Sequence, residues 1–167
     1  MRAHRLLILS VAGLGVPLAA AAQTTTTSTF DVTLTVTDSC RIVSTTPIDF
    51  GTAGVINANL DATGSIGVEC TSGTPYDIAL NAGQGAGATT TVRRMTGLTD
   101  TTATVNYAIY QDSGRTTIWG EGGGGGSGVA ATGTGALQTF TTYGRVPPVQ
   151  SVPPQAYQDT VTVSVIY

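Results

Sequence analysis

The chain has 167 residues, only 10% of them charged, with a formal net charge of −3. It contains no lysine, and seven arginines against ten acids cannot build the basic patch that nucleic acid or an anionic lipid surface requires. The length suits one domain and is short for two.

Residues 1–22 read as a secretory signal peptide. Arg2 and Arg5 form a positive start, residues 6–18 are apolar, and small residues 19–22 precede Gln23. The apolar stretch is too short to span a membrane. With this leader go Arg2, Arg5 and the only histidine, His4; five arginines against ten acids leave the mature chain near −5. The expected product is exported and soluble.

Residues 23–28 are a polar lead-in, and residues 29–36 (TFDVTLTV) follow. Phe30, Val32, Leu34 and Val36 alternate with Thr29, Asp31, Thr33 and Thr35. Strand side chains repeat with a period of two, so the four apolar residues share one face that must be buried against something. Two cysteines come next, Cys40 and Cys70. In an exported protein an even pair points to one disulfide. Closing 29 intervening residues stabilises by about 3–4 kcal/mol on the chain-entropy model. Two thiols without histidine are a poor metal ligand set, and no metal or other cofactor is expected.

The remainder reads as short strands punctuated by Gly, Pro, Asn and Asp, with no helical period. Residues 40–43 start a strand that Pro47 interrupts; Ile48 and Phe50 make a brief extended piece; residues 54–63 are rich in turn formers. Residues 65–70 alternate and point Cys70 inward, and Tyr76, Ile78 and Leu80 form the next alternating set. Residues 90–95 read as a short edge strand, with Arg93 and Arg94 on a solvated face. Residues 104–110 are a clear strand, with Tyr107 in the core, before a turn at 111–115. Residues 121–128 (EGGGGGSG) read as a flexible hairpin loop, 136–143 as a strand, and 146–154, with four prolines, as an exposed linker. The closing YQDTVTVSVIY places Val161, Val163, Val165 and Tyr167 on one face. Such a pattern predicts an all-β, immunoglobulin-like sandwich.

Two long, regular strands near the ends of the chain then lack the Lys or Pro that usually blunts a sheet edge. They pair inside one monomer, or the first completes the sheet of a neighbouring molecule. Strand addition that does not close on itself makes a filament.

Enzyme chemistry is not expected. The mature chain has no histidine for a nucleophile–base pair, and the spacing of acids such as Asp49 and Asp61 recommends no catalytic dyad. The glycine run lacks the Lys and Ser or Thr of a phosphate loop.

Taken in order, the alternating strand running into Cys40, FGTAG at 50–54, IGVEC at 66–70, RRMTG at 93–97, VNYAIYQD at 105–112, WG at 119–120 and the closing YQDTVTVSVIY resemble the spore coat protein U domain family. That family includes the pilins of archaic chaperone–usher pili, and the resemblance covers the whole mature chain. It implies an incomplete immunoglobulin-like β-sandwich completed by donor-strand exchange, with residues 23–37 as the donor extension and 38–167 as the pilin domain. A periplasmic chaperone lends the missing strand, and at an outer-membrane usher the next subunit replaces it. Carried over, Phe30, Val32, Leu34 and Val36 are donor residues. Val161, Val163, Val165 and Tyr167 form the acceptor strand, and Cys40 and Cys70 are the family disulfide. The Gly122–Gly126 run departs from the pattern. The expected function is a homopolymeric surface fibre serving adhesion and biofilm formation. A tip adhesin and a self-complemented secreted coat protein are the alternatives.

Overall fold

The computed structural model describes residues 22–123 and 127–167. The expected leader, Ala22 apart, and the centre of the glycine run lie outside the described residues. The chain divides into two units, Met1–Thr35 and Val36–Tyr167.

In the first unit, residues 22–35 have no regular secondary structure. The strand expected over 29–36 forms no ladder, and Phe30, Val32 and Leu34 are 87%, 86% and 87% exposed. Alternation sets which side chains share a face. It makes a strand only where a neighbour takes up the amides and carbonyls.

The second unit is a β-sandwich. Its strands are β1 (Cys40–Thr46), β2 (Leu60–Cys70), β3 (Pro75–Leu80), β4 (Arg93–Gly97), β5 (Thr104–Tyr110), β6 (Val129–Thr132), β7 (Leu137–Val146), β8 (Tyr157–Gln158) and β9 (Val163–Ile166). No helix occurs among the described residues. One sheet runs β1-β2-β7-β5-β4-β8 and the other β6-β3-β9, with every pairing antiparallel. Ile66 and Val68 of the larger sheet and Ile78 and Leu80 of the smaller meet in one core, as alternation on β2 and β3 requires. This is the immunoglobulin-like, all-β architecture that the sequence pattern predicts.

Several boundaries differ from the sequence reading. β1 continues to Thr46, with a bulge between Ile42 and Ser44, and stops at Pro47. β2 starts at Leu60, inside the stretch read as turns, because Leu60 to Thr63 pair with Tyr143 to Val146. Ile48 and Phe50 belong to no strand and are half-buried. They press on Gly144, where an added Cβ would lie 2.6 Å from Ile48 and 2.9 Å from Phe50. Cys40 and Cys70 pair across the first rung of the β1–β2 ladder and are joined by a disulfide, with Cα atoms 4.1 Å apart.

Arg93 overturns its expected solvated position. It is fully buried at the start of β4, and its guanidinium donates to the carbonyls of Asn81, Thr90, Leu80 and Trp119. A buried cation is tolerated when its donors are satisfied, and here backbone oxygens satisfy them. Trp119 is also buried, and its indole donates to the Ile78 carbonyl at 2.8 Å.

Candidate functional site

Among the described residues β1 and β9 each end a sheet, with no strand hydrogen-bonded to the outer edge. A groove of about 480 Å³ opens between the chain that leaves β1 and the chain that enters β9. Thr45, Thr46, Pro47, Ile48 and Phe50 form one wall; Tyr157 to Val161 and Val163 form the other. Its floor is the core itself. Ile66, Leu80, Tyr107 and Ile109 reach it, each buried, and Met95 joins them.

A second cavity of about 630 Å³ shares Ile48, Phe50, Met95 and Tyr157 and continues toward Ile56, Val105 and Val152. The loops that wall it are tied by a bridge between Ile56 and Gln150. Protein interiors normally pack with few voids larger than a water molecule. Here an apolar trough opens directly onto core residues.

The groove has one polar corner. The Tyr107 hydroxyl donates to Oδ2 of Asp159 at 2.7 Å, and Oδ1 of Asp159 accepts from the backbone amides of Gln84 at 2.7 Å and Thr160 at 2.8 Å. Burial, and then the bond to the Asp159 carboxylate, pushes the Tyr107 phenol far above its usual range. Elsewhere the polar lining is uncharged: the side chains of Thr45, Thr46, Ser65, Thr142, Tyr157, Gln158 and Thr160. No group of three or more metal-ligating side chains occurs among the described residues.

A family model, Spore Coat Protein U domain, matches residues 26–164. The chain belongs to that family. Among solved structures, this spore coat protein U domain is similar to a chain in the crystal structure of the CsuC-CsuE chaperone-tip adhesion subunit pre-assembly complex from archaic chaperone-usher Csu pili of Acinetobacter baumannii. The two are 29% identical, with a TM-score of 0.58 over 80% of this chain. The match spans 40% of that chain's length. No curated protein matches it.

Within the spore coat protein U domain the expected acceptor residues separate. Val161 and Val163 line the groove. Val165 packs against the core from β9 without lining it, and Tyr167 lies past the ladder, 61% exposed. Of the expected donor residues, Val36 opens the second unit at 69% exposure, and the other three are more exposed still. Sequence reading missed Ile48 and Phe50 as a wall, and Asp159 as the partner of Tyr107. Ile48 and Phe50 carry a faint signal, an apolar pair two residues apart just after Pro47. Asp159 carries none, because its partner is 52 residues away.

Proposed function

We propose that this chain is a subunit of a surface fibre of the chaperone–usher type. The observation that carries the reading is the open apolar groove beside the free edges of β1 and β9, in a chain whose head exposes Phe30, Val32 and Leu34. Those three and Val36 stand at alternate positions, and the side chains of a strand added to β9 would enter the groove at the same period. Burying the four contributes roughly 6–12 kcal/mol before ordering costs, at about 1.5–3 kcal/mol each.

In this reading residues 1–22 are a leader, 23–37 the donor and 38–167 the receiving domain. The subunit passes through the periplasm bound to a chaperone, meets an outer-membrane usher, and joins a homopolymer at the cell surface that supports adhesion and biofilm formation. The role is structural and not enzymatic. The solved neighbour comes from a complex of a chaperone and a tip adhesion subunit, which favours a second reading in which the chain caps a fibre and binds a surface. The alternating head favours the shaft.

Size-exclusion chromatography of the mature protein, with and without the residues before Asp38, tests the proposal. Oligomers should vanish on truncation, and the truncated domain should regain stability when a peptide of residues 29–37 is added. A full-length protein that stays monomeric, stable and indifferent to the peptide would refute it.

A further inference from the structure

The part of the groove wall that follows β1 lies at the Thr46 end of that strand, away from Cys40. Between the two ends β1 rises about 20 Å, at roughly 3.3 Å per residue. To fill the groove of its own chain, the head must reverse direction at residues 37–39 and run back along β1.

Those residues are pinned. The Thr71 amide donates to the Ser39 carbonyl at 2.9 Å, extending the β1–β2 contact one residue beyond the Cys40–Cys70 rung. The Thr71 hydroxyl is 3.2 Å from the Thr37 carbonyl and 3.3 Å from that of Ser39. The Thr74 hydroxyl donates to the Asp38 carboxylate at 2.8 Å. Thr74 is itself fixed: it is 2% exposed, its amide donates to Thr71, and its carbonyl accepts from Gly133. Local sequence opposes reversal too. Residues 29–46 contain no Gly, Pro or Asn, and a two-residue hairpin at 37–38 would put β-branched Thr37 where a positive φ is needed.

We propose that Asp38, Thr71 and Thr74 determine partner choice: by holding the root of the head extended, they bar self-insertion and direct residues 30–36 to a second copy of this chain. The inference rests on the strand donation proposed above. Losing the Thr74–Asp38 bond, which has a charged acceptor, shifts the balance toward self-insertion roughly tenfold to a hundredfold.

The test compares full-length wild type with Asp38→Ala and Thr74→Val, by size exclusion and by capture of a labelled peptide of residues 29–37. Wild type should assemble, and its residual monomer should capture the peptide. Both variants should accumulate a stable monomer that captures none, its groove filled by its own head. Asp38→Asn, which keeps an acceptor oxygen without its charge, should recover part of the wild-type assembly and peptide capture. Asp38 is exposed, so its variants test the idea even if Thr74→Val folds poorly. Variants that assemble and capture peptide like wild type would overturn the partner-choice role while leaving strand donation standing. A wild type that neither assembles nor captures peptide would overturn both.

Discussion

The hydroxyl of Tyr107 on β5 and the carboxylate of Asp159, in the chain leading into β9, meet at 2.7 Å on the wall of the groove. The contact joins the larger sheet to the chain that enters β9. Burial, reinforced by the Asp159 bond, raises the Tyr107 pKa, so the folded state keeps its proton after the unfolded chain has begun to lose it. The unfolded phenol ionises near pH 10, where the native state then binds more protons, so stability falls as pH rises beyond about 10. Tyr76, raised by burial, adds to the same limb. Tyr107→Phe should therefore flatten part of the alkaline slope. It should also cost about 1–3 kcal/mol near neutrality, through loss of a hydrogen bond to a charged group. Urea unfolding midpoints across the alkaline range check both effects; an unchanged slope would contradict the assignment.

Arg93 gathers four carbonyls from three chain segments around one cation. Its Nε lies 2.9 Å from the Asn81 carbonyl, and its terminal nitrogens reach Thr90 at 2.9 Å, Leu80 at 3.2 Å and Trp119 at 2.8 Å. Burial pushes its pKa down, yet arginine stays charged at any ordinary pH. Arg93→Met would leave those carbonyls without the guanidinium donors, at about 1–3 kcal/mol for each group left unsatisfied. The expected loss is about 3 kcal/mol or more in denaturant unfolding. Arg93→Lys should recover only part of it, because one ammonium cannot reproduce the planar fork.

Arg93 also shows where sequence reading stops. Two adjacent arginines on a short strand look like a solvated face. What buries the first of them is a set of carbonyls from residues 80, 81, 90 and 119, and no spacing announces that set. Where burial follows alternation the reading is sound: Tyr76, Ile78 and Leu80 on β3, and Val105, Tyr107 and Ile109 on β5, all sit in the core. β6, Val-Ala-Ala-Thr, has no such contrast and passes unnoticed. Asp61 looks like a turn residue beside Asn57 and Asn59, yet the β7 ladder draws it into β2. In the groove, Val161 and Val163 are legible from period two, whereas the opposite wall arises from a loop folded over Gly144.

Asp61 in that ladder accepts two bonds from Arg145, at 2.7 and 2.8 Å, and lies 3.3 Å from Nε of Arg115. The Arg145 hydrogen bond is the largest influence on its carboxyl, and with the charges of both arginines it outweighs desolvation and lowers the pKa. A carboxylate with a depressed native pKa contributes stability above its unfolded value, near 3.9, and loses it as pH falls through the folded value. Asp61 is open to solvent, which screens the pairing, so the contribution is under about 1 kcal/mol. Asp61→Asn should cost that much at neutral pH, and its difference from wild type should shrink under acid. Parallel acid titrations of unfolding free energy decide it; a gap that widens as pH falls would reverse the sign argued here.

Leu34 gives the sharpest test of strand donation. It is 87% exposed, so substitution there should leave the fold within about 0.5 kcal/mol of wild type. In a neighbour's groove it would instead face side chains such as Leu80, Ile109 and Met95. Leu34→Asp would forfeit about 1.5–3 kcal/mol of apolar burial and place a carboxylate against apolar side chains with no cation to pair with. Assembly should fall by a thousandfold or more, the equivalent of roughly 4 kcal/mol. On the proposed reading a chaperone fills the groove that the head later takes, so chaperone binding should be spared. Thr33→Asp, on the opposite face, should assemble nearly as wild type does, and Leu34→Ile should be tolerated. Electron microscopy and sedimentation of the three variants read this directly. If Leu34→Asp fibres match wild type in length and yield, residues 30–36 are not the segment that fills the groove.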